Sequence, residues 1–156
     1  MAGTDSELKM VTKGLLPWKF TVMAGPREIA EVVDHGWWPL KGELAIEGAR
    51  YQARRERVMS GAFVFESAGV VLARASKRSV LRRSFVIEHS GRHYTLRPKS
   101  AFHRDLQLLD GSTHLGSLTP ESVVKRRANV DLPREWPLAI RVFVIWLAVM
   151  LWQDAL

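Results

Sequence analysis

Trp136-Pro-Leu-Ala-Ile-Arg-Val-Phe-Val-Ile-Trp-Leu-Ala-Val-Met-Leu-Trp152 decides the fold. From Leu138 to Trp152 a helix would be apolar on every side, with Arg141 as its single charge. No face of such a helix can be offered to water, so protein or lipid must enclose it. Pro137 suits the first helical position, where a missing N–H costs nothing. The reading is a helix over about residues 137–152, whose fifteen residues after the proline span roughly 23 Å. A bilayer core needs about 30 Å, so the run is short for a membrane span, and a tilted tail anchor is the alternative.

Upstream, the chain reads as short strands and tight turns. Trp18-Lys-Phe-Thr-Val-Met23 alternates with period two, Gly25-Pro26 turns the chain, and Ile29 to Val33 reads as a further strand. With Ser90-Gly91 as a two-residue turn, His89 pairs with Arg92, Ile87 with Tyr94 and Phe85 with Leu96. Four large apolar side chains then share one face, and a one-residue slip would scatter them. The same arithmetic at Ala68-Gly69 groups Phe63, Phe65, Val70 and Leu72 but sets Arg74 beside Phe63. At Asp110-Gly111 it sets Leu106 against Leu115, and Leu118 reaches the apolar side only if Gly116 marks a bulge. About eight to ten strands follow from this spacing of turn signals. The fold class expected is mainly β: an antiparallel β-barrel of short meander strands enclosing the hydrophobic C-terminal helix. Residues 1–14 are read as a flexible N-terminal segment and residues 15–156 as a single domain.

The 156-residue chain is 47% hydrophobic and 25% charged, an ordinary globular balance. It has no cysteine, which excludes disulfides, thiolate metal sites and cysteine nucleophiles. Met1-Ala-Gly-Thr-Asp-Ser-Glu lacks the basic start and apolar run of a secretory signal, so a cytoplasmic location is the default expectation. The net charge of +7 is unevenly placed: Arg50 to Arg104 holds thirteen Lys or Arg against Glu56, Glu66 and Glu88, a local excess of ten. Such a block attracts an anionic surface, whether lipid headgroups, nucleic acid or an acidic protein, or else keeps an apolar barrel soluble.

Several segments resemble the tubby C-terminal-like superfamily, in its LURP-one-related and phospholipid scramblase-like branch. They are the Phe85-Val-Ile-Glu-His-Ser-Gly-Arg-His-Tyr-Thr-Leu96 hairpin, Leu106-Gln-Leu-Leu-Asp-Gly111 with Leu115-Gly-Ser-Leu118, and Phe143 to Trp152. The likeness covers residues 18–153, and the order of the segments carries it. It implies a closed antiparallel barrel threaded by a hydrophobic helix, association with membranes, and headgroup recognition by Lys and Arg. The chain is shorter than the twelve-stranded members and lacks both the palmitoylated cysteines and the acidic calcium-like segment of scramblases. Scrambling and calcium dependence are therefore not carried over.

No HExxH, P-loop, GxGxxG, nucleophile elbow or EF-hand loop occurs. His89 and His93 have helical metal-pair spacing, but across the Ser90-Gly91 turn they point to opposite faces, so no metal is expected. Glu88 should face His93 as a surface contact. The basic residues fall into groups: Arg54, Arg55 and Arg57; Lys77, Arg78, Arg82 and Arg83; Arg97, Lys99 and Arg104. Lys125-Arg-Arg127 reads as a solvated linker, and Trp37-Trp38 as either a strand-end core pair or an exposed anchor. The expected function is a non-enzymatic binding module, without cofactor, docking peripherally on membrane phospholipid headgroups. Arg54, Arg55, Arg57, Lys77, Arg78, Arg82, Arg83, Arg97 and Lys99 are its candidate ligand-binding residues. Nucleic-acid binding by the same block, or a structural or protein-interaction role, is the alternative.

Overall fold

A computed structural model describes residues 7–12, 19–37, 40–57, 61–77, 83–100, 104–122 and 127–154. They form twelve strands and one helix. The first six strands are β1 (Glu7–Thr12), β2 (Lys19–Ala24), β3 (Arg27–Trp37), β4 (Leu40–Ile46), β5 (Ala49–Arg55) and β6 (Ala62–Ser67). The rest are β7 (Val70–Lys77), β8 (Phe85–His89), β9 (Arg92–Pro98), β10 (Leu106–Asp110), β11 (Thr113–Ser122) and β12 (Arg127–Asp131), followed by α1 (Leu138–Asp154). Each strand pairs antiparallel with its sequence neighbours, and β1 closes on β12. This is the enclosing meander barrel expected from the sequence, with more strands than the eight to ten read there. Part of the difference lies at the N-terminus. Glu7–Thr12, read as part of a flexible segment, is a full strand whose Leu8 and Met10 are buried and which closes the wall.

Two-residue turns explain the meander. Glu47-Gly48, Ala68-Gly69 and Ser90-Gly91 have positive φ at both positions, the twist that suits a two-residue hairpin. Gly25 and Gly111 supply a positive φ at the first position of the other two turns. The Ser90-Gly91 register is the one expected, residue for residue, and Glu88 Oε2 lies 3.8 Å from His93 Nε2. The other two registers are corrected by bulges. In β7 the extra residue is Leu72: Phe65 faces Ala73 and Phe63 faces Ala75, so Arg74 moves outside opposite Val64. Val70, Val71 and Leu72 are consequently exposed rather than packed with Phe63 and Phe65. At the β10–β11 turn Asp110 pairs with Thr113, and Leu115 is the extra residue, which turns Leu118 inward opposite Leu106.

A closed sheet of eight strands is filled by its own side chains, whereas twelve leave room for a helix about 10 Å across. α1 occupies that space. Val142 to Ala148 are each 1% exposed or less, on every side of the helix. The wall makes room with small inward residues. A Cβ on Gly42 would lie 2.6 Å from Trp146 Nε1, and the row Gly42, Ala53, Phe65, Ala73 offers one large side chain, which stacks on Phe143 at 4.9 Å. Trp146 meets Phe63 edge-on at 5.6 Å. The Pro137 carbonyl accepts from Ile140 and Arg141, so the proline caps the helix rather than opening it, one residue from the expected start.

The two ends of the barrel differ. All five tight turns lie at the end where α1 enters, and there Trp136 packs edge-on against Tyr94 at 4.7 Å and His89 at 5.4 Å. Burial holds the His89 pKa below the usual histidine value of about 6.5. The unfolded chain then takes up a proton that the folded one resists. Stability should therefore fall as pH drops below about 6.5 and level off below the folded pKa. A His89→Gln variant is expected to show a shallower loss of melting temperature between about pH 7 and pH 5 in a calorimetric series.

Candidate functional site

Basic residues gather at the opposite end, where α1 terminates. In an up-and-down meander, every connection after an odd-numbered strand lies at this end. Arg54 and Arg55 finish β5 and Arg57 follows them; Lys77 finishes β7 and Arg83 follows it; Arg97 lies near the end of β9, with Lys99 and Arg104 in the next connection. Lys19, Lys41 and Arg127, at the starts of β2, β4 and β12, belong to the same rim. The tight-turn end carries both signs, Glu28, Glu47, Glu88 and Asp110 alongside Arg27, Arg50 and Arg92, and at the cation-rich end Glu56, Asp105 and Glu121 are outnumbered by Lys and Arg. Arg78 and Arg82 lie outside the described residues, as do Trp38, Lys125 and Arg126.

Strand alternation sorts these cations. Arg55 and Lys77 point inward and cap the core: the Arg55 guanidinium lies 5.7 Å from the centre of the Phe63 ring and Lys77 Nζ 5.9 Å from that of Phe85. Those two rings are 5.8 Å apart, so the cations are neighbours on the mouth. Each keeps its apolar stem on the core and its charge at the opening. Arg54 points outward instead. Its Nε and Nη2 donate to the two oxygens of Glu66 at 2.9 and 3.4 Å, so its charge is already matched. Arg57, Arg97 and Lys99 are exposed. The described members of the sequence-predicted set are thus on one end of the barrel but not on one surface.

The helix contributes electrostatically. Its C-terminal carbonyls carry a partial negative charge of about half an electron, and no basic residue of α1 stands in its own last turn. The wall supplies the countercharge: Arg83 Nη2 donates to the Leu151 carbonyl at 3.3 Å. Trp152 Nε1 donates to the Arg104 carbonyl at 2.8 Å. Some of the positive rim is therefore neutralised by the core. The Nε atoms of Arg55 and Arg83 are buried with no hydrogen-bond acceptor among the described residues. Two connections are closed at their necks by backbone bonds, Glu56 N to Ala62 O at 2.9 Å and Lys99 N to Asp105 O at 2.8 Å, and Lys77 N to Gly61 O at 3.0 Å extends the β6–β7 ladder.

Sequence reasoning missed Lys19 and Lys41 as members of the rim, although strand parity would have placed them there. It also missed the part played by Leu151 and Trp152, which no local pattern reveals. Elsewhere, a concavity of 630 Å³ on the outer wall of β3–β6 is bordered by Glu31, Glu43, Arg50 and Glu66. Glu31 and Glu66 are bridged to Lys19 and Arg54, which leaves this wall with matched charges. Among the described residues no three His, Asp or Glu side chains are grouped to hold a metal ion, and His89 and His93 do lie on opposite faces. No family model, curated protein or solved structure matches the chain.

Proposed function

We propose that this protein is a non-enzymatic binding module that docks on anionic phospholipid headgroups through the basic mouth at the C-terminal end of its core helix. One observation carries the reading: the described candidate cations share a single end of the barrel, where Lys and Arg outnumber the acidic residues Glu56, Asp105 and Glu121. The resemblance to the tubby-like superfamily points the same way. The docking proposed is peripheral, at a cytoplasmic leaflet; no helix among the described residues is long and apolar enough to cross a membrane.

Cosedimentation with vesicles of phosphatidylcholine containing phosphatidylserine, in low salt, tests this. Binding should weaken steeply as salt rises, because charges near a surface are screened over about 10 Å at 0.1 M. Each cation near an anionic leaflet contributes about 1 kcal/mol, so reversing the exposed Arg57, Arg97 and Lys99 to Glu should weaken binding about a hundredfold or more. Reversing Arg27 and Arg50 at the opposite end should change it little. Indifference of the wild-type protein to vesicle charge would overturn the reading, as would retention of a DNA or RNA duplex in place of the vesicles.

A further inference from the structure

We infer that the last turn of the core helix is the positioning element of the basic mouth, with Trp152 as its principal contact. This rests on the function proposed above. Two of the connections that bear candidate cations are tied to that turn from beneath. The β9–β10 connection, with Lys99 and Arg104, is held by the Trp152 indole N–H on the Arg104 carbonyl. The β7–β8 connection is held by Arg83 on the Leu151 carbonyl. These contacts join residues 48 and 68 positions apart, so both form only in the assembled barrel.

The physical consequence is preorganisation. Backbone beside a binding cation that is not already held must be ordered when it meets a charged surface, and that ordering subtracts from affinity. Pinning Arg104 at 2.8 Å, together with the neck bond from Lys99 N to Asp105 O, fixes both ends of the segment before any ligand arrives. Trp152 itself is 7% exposed and its ring fills the helix end, so a purely space-filling role is the competing explanation. The two roles separate at the N–H, which space filling does not need.

Replacing Trp152 by 3-benzothienylalanine keeps the ring's shape and removes its donor; Trp152→Phe is the genetically encoded companion. Because Arg104 lies at the rim, water can replace the lost donor once the segment loosens. The expected result for the sulfur analogue is a melting temperature within about 2 °C of wild type. The vesicle concentration at half-binding should rise about fivefold, the worth of one ordinary hydrogen bond. Amide exchange at Lys99 and Asp105 should quicken about fivefold or more, with the core strands unchanged. Unchanged affinity in the analogue would overturn the inference, and so would a fall in affinity matched by a proportionate fall in melting temperature. If the wild-type protein ignores the vesicles, the headgroup reading fails, and exchange alone decides whether Trp152 positions the segment: unchanged exchange refutes it.

Discussion

A chain ending at Pro133 is expected to have no folded state: sigmoidal melting and dispersed amide signals should both be lost, and the product should collect in the insoluble fraction. The helix is not an accessory to the barrel but its filling. Trp136, Ile140 and every residue from Val142 to Trp152 are buried, and the inward side chains of all twelve strands converge on them. Burying a large apolar side chain contributes about 1.5–3 kcal/mol, so a dozen of them exceed the net stability of about 5–15 kcal/mol that a domain has to lose. An empty twelve-strand wall would leave a wetted apolar lumen. A graded form of the same experiment is Phe143→Ala, which removes a ring stacked on Phe65 and near Trp146. It should cost about 3–5 kcal/mol in a denaturant titration, with an unchanged dependence on denaturant. A loss below about 1 kcal/mol would mean that the helix is not tightly packed where the structure puts it.

Gly116→Ala should be more damaging than Gly42→Ala or Gly61→Ala. A Cβ at that position would overlap the Asp131 carbonyl oxygen and stand 3.2 Å from Leu132 Cα, both of them backbone atoms that cannot rotate away. β11 is bulged beside this point, and β12 leaves here to begin the helix, so relief would require strand and lead-in to separate. Overpacking typically costs about 1–3 kcal/mol, and a backbone collision belongs at or above the top of that range. The melting temperature should fall on the order of 10 °C. Gly42→Ala meets Trp146, a side chain, and should cost less. Gly61→Ala meets only an ordinary 3.6 Å contact with Lys77 and should be close to neutral. Equal melting temperatures for the three variants would contradict this ranking.

The hairpins show how far local reading reaches. Ser90-Gly91 was legible because its strands carry no irregularity, so pairing by counting outward from the turn stays in phase. Ala68-Gly69 was not, although the turn itself was identified correctly. One extra residue, Leu72, inverts the faces beyond it, and the only sequence sign was the awkward placement of Arg74 beside Phe63. β1 escaped notice because Glu7-Leu-Lys-Met-Val-Thr12 alternates weakly among polar residues, and its partner β12 is more than a hundred positions away. The candidate site was legible as a charge excess between Arg50 and Arg104. How the charges divide was not: Arg54 and Arg55 are adjacent in the chain, yet one bridges Glu66 outside the wall and the other caps Phe63 within it.

The sequence by itself determined that a helix apolar on every side must be enclosed, and that glycine-marked turns recur at meander spacing, because hydrophobic periodicity and turn conformation are local properties of the chain. Only the tertiary structure decided that the wall has twelve strands, that β1 closes it against β12, and that the described candidate cations lie at the end of the barrel where the helix ends. Those outcomes depend on bulges, on barrel closure and on contacts between residues far apart in the chain. Their energies exist only once the wall is wrapped around its core.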